Sequence, residues 1–347
     1  MNIDFIIPNK NQGWAYPLIK WKKELKKKGL DVNVVAKPNF KNKRDIVILS
    51  SRFYRNKYET NNIFFENLKE DVKRDTDRLR KFDSKIVYYD LSASPGSKEL
   101  SVINDVDLFL KRQLYKDKDI YTHTYHPNRI WLEGENSCHG ISKDQLHKIN
   151  LGWNLGYQDY ANWPLFNPNK FKLFFFNNPT FISPMARRSI TASYRGKMAG
   201  QTVPQRKGVV ETLKKLNNQN PKSFVTGSVI NKNKYIKEVQ NTKAMISPFG
   251  YGEICYRDME AFINGCILIK PNMDHLETFP NFYIKNETYI PTKWDLSDLK
   301  DILLDVDKNY GDYLEIAKKG QELFKNNYYN FDIFYNHFEN IVNKISK

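Results

Sequence analysis

The sequence predicts an α/β protein made of two doubly wound, Rossmann-like domains. Short apolar runs without polar alternation, such as Asp-Ile-Val-Ile-Leu-Ser at 45–50, read as parallel strands covered on both faces. These runs alternate with charged stretches of helical period, the pattern of right-handed β-α-β crossovers. At 347 residues the chain also exceeds one ordinary core and suits two domains of ~150–180 residues.

The first domain is placed at 1–184. Residues 3–7 form a strand ending at Pro8, 11–13 a loop, and 14–28 a helix stopped by Gly29. Trp14, Leu18, Trp21 and Leu25 line one face of that helix, with lysines around the rest. The stripe either packs on the sheet or docks on an anionic bilayer. Strands follow at 32–36 and 45–50, then a charged helix at 61–81, then strands at 85–91 and 106–110. From 115 to 184 periodicity is lost, apart from an apolar run at 171–176, and aromatic residues, asparagine and proline dominate. A long irregular segment of this kind signals a functional surface. Trp131, Trp153, Tyr157, Tyr160 and Trp163 are there either to stack on sugar rings or to pack the core.

The second domain, 185–328, opens with a strand at 189–194, the turn Arg195-Gly196 and a helix at 204–216. A strand at 223–225, a helix at 232–242 and a strand at 244–247 follow. Helices are expected at 296–306 and 313–324, and the terminal segment 329–347 forms one more, with Phe334, Phe338, Ile341 and Val342 on one face.

Composition narrows the class. Hydrophobic residues make up 40% and aromatics 14%, enough for packed cores. Three cysteines, Cys138, Cys255 and Cys266, lie far apart without CxxC spacing, which favours a reducing compartment over a disulfide frame or zinc site. The first residues carry no signal-peptide pattern and no apolar run approaches ~18 residues, so a cytoplasmic protein is expected. The net charge of +16 would suit nucleic acid, an anionic membrane face or anionic small substrates. Lysines are spread along the chain and no arginine-rich, aromatic-interleaved motif occurs, so no nucleic-acid partner is expected. Weak electrostatic attraction to the inner membrane face is.

The most informative stretch is Ser-Pro-Phe-Gly-Tyr-Gly-Glu-Ile-Cys-Tyr-Arg-Asp-Met-Glu-Ala-Phe-Ile-Asn-Gly-Cys-Ile-Leu-Ile-Lys-Pro, residues 247–271. It reads as strand end, glycine loop, helix and buried strand. Gly250 and Gly252 allow close backbone approach to a ligand, and a helix N-terminus there favours a phosphate. Arg257 and Glu260, three apart, share one helix face, so one can meet a phosphate while the other accepts from a ribose diol. Gly265 ends the helix. Arg195, Arg206 and Lys207 add a second basic group near a strand end, where open α/β sheets bind ligands.

Arg257, Glu260, Ala261, Gly265, Cys266 and Ile267 resemble the Arg-x-x-Glu-Ala-x-x-x-Gly-Cys-Ile run of exostosin-like glycosyltransferases. Glu260-Ala261 and Gly265 also resemble the second half of the Glu-x7-Glu motif of retaining enzymes, although only six residues separate Glu253 from Glu260. The resemblance implies the GT-B fold: two doubly wound domains facing a cleft, with the C-terminal helix crossing back onto the first. It implies a hexosyl- or pentosyltransferase that moves a sugar from a nucleotide-sugar to a surface-polysaccharide or lipopolysaccharide acceptor. No cofactor beyond the nucleotide-sugar substrate is expected. Catalysis is expected to be metal-independent, since Asp105-Val106-Asp107 merely precedes an apolar strand, and inverting rather than retaining.

Inversion needs a base for the acceptor hydroxyl. Asp90, at a strand end, is the leading candidate for that base; Glu253, at the start of the helix, is the second catalytic candidate and either caps backbone amides or touches the sugar. His123 and His126 are rivals on the acceptor side, together with Gly13 and Trp14 just past the first strand. A non-catalytic nucleotide-, glycan- or nucleic-acid-binding protein and a nucleotide-sugar epimerase remain the alternatives.

Overall fold

The computed structural model describes residues 1–8, 13–132, 137–160, 178–196 and 203–346. The first half carries strands β1 (Asn2–Ile6), β2 (Asp31–Val35), β3 (Ile46–Ser50), β4 (Lys85–Asp90), β5 (Leu108–Lys111), β6 (Gln113–Tyr115), β7 (Tyr125–Pro127), β8 (Ser137–His139) and β9 (Ile149–Leu151). Its helices are α1 (Tyr16–Lys20), α2 (Lys22–Lys27), α3 (Ser51–Arg55) and α4 (Asn61–Arg80). Six of the strands form a parallel sheet in the order β2-β1-β3-β4-β5-β9. Every residue of β3 is buried, as its apolar run requires of a strand covered on both faces.

The second half carries β10 (Ile190–Arg195), β11 (Phe224–Gly227), β12 (Thr242–Ile246), β13 (Ile267–Pro271), β14 (Leu276–Thr278) and β15 (Ile290–Thr292). Between and after them run α5 (Val203–Gln219), α6 (Lys232–Gln240), α7 (Tyr256–Ile263), α8 (Leu299–Lys308), α9 (Leu314–Tyr329) and α10 (Phe331–Ser346). The second sheet is parallel too, in the order β11-β10-β12-β13-β15. In each sheet the strand order reverses beside the first strand, between β1 and β3 and between β10 and β12. Such reversals open the crevice in which doubly wound sheets bind ligands.

The halves are tied twice. β14 pairs antiparallel with β6, so a two-stranded ribbon crosses between them. Helix α10 returns to the first half: Phe334 stacks on Trp21 at 5.2 Å and meets Trp153 edge-on at 5.7 Å. Lys344 Nζ donates to Asn150 Oδ1, and His337 Nε2 lies 3.1 Å from the carbonyls of Leu151 and Gly152.

That packing explains two departures from the sequence reading. The helix expected at 14–28 is broken at Trp21, which leaves helical geometry (φ −107°, ψ 23°) while its ring packs against α10. Trp14, Leu18, Trp21 and Leu25 are all buried, so the stripe faces the core and the tryptophans do not reach a bilayer. Trp153, Tyr157 and Tyr160 are core residues as well, with the Trp153 indole donating to the Trp14 carbonyl at 2.8 Å. Trp163 and the apolar run at 171–176 lie outside the described residues. Among the described residues no helix is long and apolar enough to cross a membrane.

Candidate active site

The loop between β12 and α7 sits at the strand-order reversal of the second sheet. Its shape is set by neighbours rather than by itself. Gln205 of α5 accepts from the Phe249 amide at 3.0 Å and donates to the Trp294 carbonyl at 2.8 Å, pinning the loop. The next residue, Arg206, brings its guanidinium under Gly250, where an added Cβ would lie 3.6 Å from Nη2. Arg257, in the first turn of α7, lays its guanidinium 4.7 Å from the Tyr194 ring centre and donates to the Arg195 carbonyl at 3.0 Å. Gly250, Arg206, Arg257 and the α7 N-terminus therefore converge beside Tyr194. This is an arrangement for a phosphorylated ligand: two guanidiniums, a glycine that keeps side chains away and a helix end.

Helix α7 is held by buried charge. Asp258 accepts from the Cys255 amide at 3.0 Å, closing the first turn, and from the Tyr283 hydroxyl at 2.7 Å. It pairs with Lys270 of β13 at 3.1 Å, both side chains fully buried. On the next turn Glu260 accepts from the Tyr235 hydroxyl of α6. Burial and the Glu260 charge push that phenol well above its ordinary value, so it stays a donor. Glu260 is half-buried and faces Tyr235 of α6.

Arg195 requires a correction. Its guanidinium forms a forked pair with Glu238, at 2.7 Å from Nη2 and 3.0 Å from Nε, and a third bond to the Thr226 carbonyl at 3.1 Å. A guanidinium with three committed donors locks α6 to β10 and β11 and is not presented to a phosphate. Lys207 points instead to Glu211, 3.8 Å away on the exposed face of α5.

The glycine loop closes against the first half. Arg129 Nη1 donates to the Tyr251 carbonyl at 3.0 Å, and the Trp131 ring lies 4.9 Å from that of Phe249. Glu253 is fully buried in this contact; Gln113 Nε2 donates to it at 2.7 Å and Trp131 Nε1 at 2.9 Å. Burial raises its carboxyl from 4.5 to about 7, although both donors pull the other way. Gly252 is required for close approach, but to protein: an added Cβ would collide with the Ala93 carbonyl oxygen. Gly252→Ala is expected to cost about 1–3 kcal/mol in urea denaturation, the usual penalty of overpacking.

Asp90 is the second correction. It ends β4 as expected, but both oxygens are saturated: Lys111 Nζ at 2.6 Å, Ser97 Oγ at 2.6 Å and the Ser92 amide at 2.7 Å. Burial alone would raise the carboxyl, yet Lys111 and the hydroxyls hold it below the usual range. A carboxylate ion-paired to a buried ammonium and held below the usual range is an anchor rather than a base. His126 is buried edge-on against Tyr121 at 5.5 Å, and burial lowers it to about 4; His123 is exposed on the same hairpin. Among the described residues neither histidine is hydrogen bonded to the glycine loop. Gly13 is backed by the Gln158 side chain, and Trp14 is covered by the Arg112 guanidinium at 4.3 Å.

Sequence reasoning missed Gln113 and Tyr235, which touch the key carboxylates, and Arg52 and Arg112, which follow β3 and β5; Trp131, expected to stack on sugar or pack the core, instead donates to Glu253 and lies against Phe249. The two arginines carried a signal, since each stands just past the carboxyl end of an apolar strand. Asp107, of the Asp105-Val106-Asp107 triplet, accepts from the Ile86 amide at 2.8 Å and so braces the sheet. Among the described residues no group of three or more His, Cys, Asp or Glu side chains is arranged to hold a metal ion.

No family model and no curated protein matches the chain, so the exostosin-like resemblance rests on the motif alone. Solved structures do match. An alpha-glucosyltransferase in complex with UDP and a 13-mer DNA aligns at TM-score 0.52 and 9% identity, covering 99% of each chain. The alpha-glucosyltransferase with UDP-glucose and DNA containing an abasic site aligns at 0.50 and 10% identity, covering 99% of this chain and 98% of that one. Anabaena HepE in complex with UDP and glucose aligns at 0.50 and 11% identity, covering 99% of this chain and all of that one (100%). The fold is that of the GT-B glycosyltransferases: two doubly wound domains facing a cleft, with the C-terminal helix returned to the first.

Proposed function

We propose that the protein is a glycosyltransferase that takes a sugar from a nucleotide-sugar and passes it to an acceptor hydroxyl. The convergence of Arg206 and Arg257 on Gly250 at the α7 N-terminus carries this reading. The donor diphosphate would lie there and Glu260, with Tyr235, would take the ribose hydroxyls. The neighbours in complex with UDP or UDP-glucose favour a uridine nucleotide and a hexose. The two guanidiniums and the helix end supply positive charge for the departing nucleotide without a metal ion.

Glu253, raised to about 7, is the base of choice, and one base at the acceptor hydroxyl suits an inverting displacement. A cytoplasmic enzyme of surface-glycan synthesis is the setting we favour. A nucleic-acid acceptor stands as the second reading, because the alpha-glucosyltransferase neighbours were determined with DNA and this chain carries +16.

Thermal shift against UDP, GDP and CMP tests the donor site. UDP is expected to stabilise the wild type, and Arg257→Gln to weaken UDP by about tenfold or more, the loss of one charge-assisted contact. Unchanged UDP binding in Arg257→Gln would reject the placement of the diphosphate. Transfer from UDP-glucose to oligosaccharides or to an oligonucleotide then separates the two acceptor readings.

A further inference from the structure

The first-half wall of the cleft carries arginines without counter-charges. Arg52 stands in the first turn of α3, directly after β3 and thus at the strand-order reversal of the first sheet. Arg112 follows β5. It is only 5% exposed, its Nε is buried without a hydrogen-bond partner, and its guanidinium rests 4.3 Å from the Trp14 ring. Arg55, at the end of α3, has a buried Nη1 that is unpartnered as well. Among the described residues none of the three forms an ion pair.

Nearby carboxylates do not neutralise them. Asp90 is consumed by Lys111, Ser97 and the Ser92 amide. Burial pushes the Glu99 carboxyl well above the usual range, and it accepts from the Tyr88 hydroxyl at 2.9 Å without an ion pair to any of the three. Arg52 and Arg112 act on each other electrostatically, and both act on the Tyr256 phenol in the first turn of α7. Both stand just past the carboxyl ends of parallel strands of one sheet, β3 and β5, with β4 between them. Keeping the Arg112 guanidinium this buried without an ion pair is costly, and a bound anion offsets that cost.

We propose that Arg52 and Arg112 form an anion subsite on the first-half wall of the cleft, one that takes a phosphate group carried by the acceptor substrate. The inference rests on the glycosyltransferase reading and narrows it. The donor diphosphate has Arg206 and Arg257 on the opposite wall, so these two arginines serve a second anion. Their forked, planar donors match phosphate oxygens two at a time. An acceptor bound this way presents its hydroxyl near Glu253, on the loop between the walls.

The test is thermal shift in saturating UDP, titrating glycerol 3-phosphate as a monoester probe and dimethyl phosphate as a diester probe. Sodium chloride of equal ionic strength is the blank. The wild type is expected to gain stability beyond the blank from at least one probe, and the stronger probe identifies a terminal or a bridging phosphate. Arg112→Gln and Arg52→Gln should each weaken that response by about tenfold or more while leaving UDP affinity unchanged. Arg52→Lys should keep part of it, and Lys27→Gln on the exposed face of α2 all of it. Should Arg112→Gln not fold, the half-exposed Arg52 variants decide alone.

No response beyond chloride in the wild type would overturn the subsite, as would a response indifferent to both substitutions. Parallel loss of UDP affinity would reassign the arginines to the donor diphosphate, which also overturns it. Absence of UDP binding with an intact, arginine-dependent phosphate response would instead sink the donor reading and leave the anion subsite standing.

Discussion

Replacing Glu253 by glutamine is expected to cut sugar transfer by about 10²–10⁴-fold, the usual contribution of a positioned general base. The substitution keeps the shape of the side chain, although its amide nitrogen cannot accept and one of the bonds from Gln113 and Trp131 is lost; UDP binding should survive, since the diphosphate groups lie elsewhere. The pH dependence makes the prediction sharper. Burial raises the folded-state value from 4.5 to about 7, so the fold favours the neutral carboxyl. The stability this gives is complete below about 4.5 and is lost as pH rises through about 7, a loss of about 3 kcal/mol. Glutamine cannot ionise and loses nothing. Thermal midpoints at pH 5 and pH 8.5 should therefore show the variant gaining on the wild type at the higher pH. A difference that stays constant across that range would mean that the group titrating near 7 is elsewhere. In the active enzyme, the rate should rise through the same region as the carboxylate forms.

The largest stability effect is expected at Lys111. Lys111→Met leaves the Asp90 carboxylate fully buried with only Ser97 and the Ser92 amide to hold it. Breaking a buried pair from one side costs about 3–5 kcal/mol, because a bare charge remains. Asp90 is held below the usual carboxylate range, so the pair stabilises the fold above that range and fails as pH drops through the depressed value. The loss in Lys111→Met should be read by urea denaturation near neutral pH. The double substitution Asp90→Asn with Lys111→Met removes both charges and should recover most of it. If the double variant is as unstable as the single, packing and not charge sets the cost.

The same pair shows why one site residue misled the sequence reading. A carboxylate at a strand end looks alike whether it is a base or an anchor. What distinguishes them is a lysine on the neighbouring strand, 21 positions away, whose ammonium is invisible to any local pattern. Glu253 is the converse case. Its partners Gln113 and Trp131 are 140 and 122 positions distant, so its burial could not be read from the glycine loop that carries it. By contrast the glycine turn at Gly250 opening a helix that carries Arg257 in its first turn was legible as local structure. A glycine turn opening a helix, with cations nearby, expresses the anion preference of a helix N-terminus in contiguous residues. Most strands of both sheets were legible for a related reason, since burial on both faces leaves unbroken apolar runs. The segment after residue 115 was not, because its strands are three residues long and pair with distant partners.

The ribbon of β6 and β14 constrains how the two halves can move. Backbone hydrogen bonds shared across the halves resist sliding, so any opening of the cleft is expected to pivot about this ribbon. Gln113 is itself a ribbon residue, registered opposite Thr278. Groups near a pivot travel least. Glu253, held by Gln113 at 2.7 Å, therefore sits beside that pivot and is expected to keep its orientation.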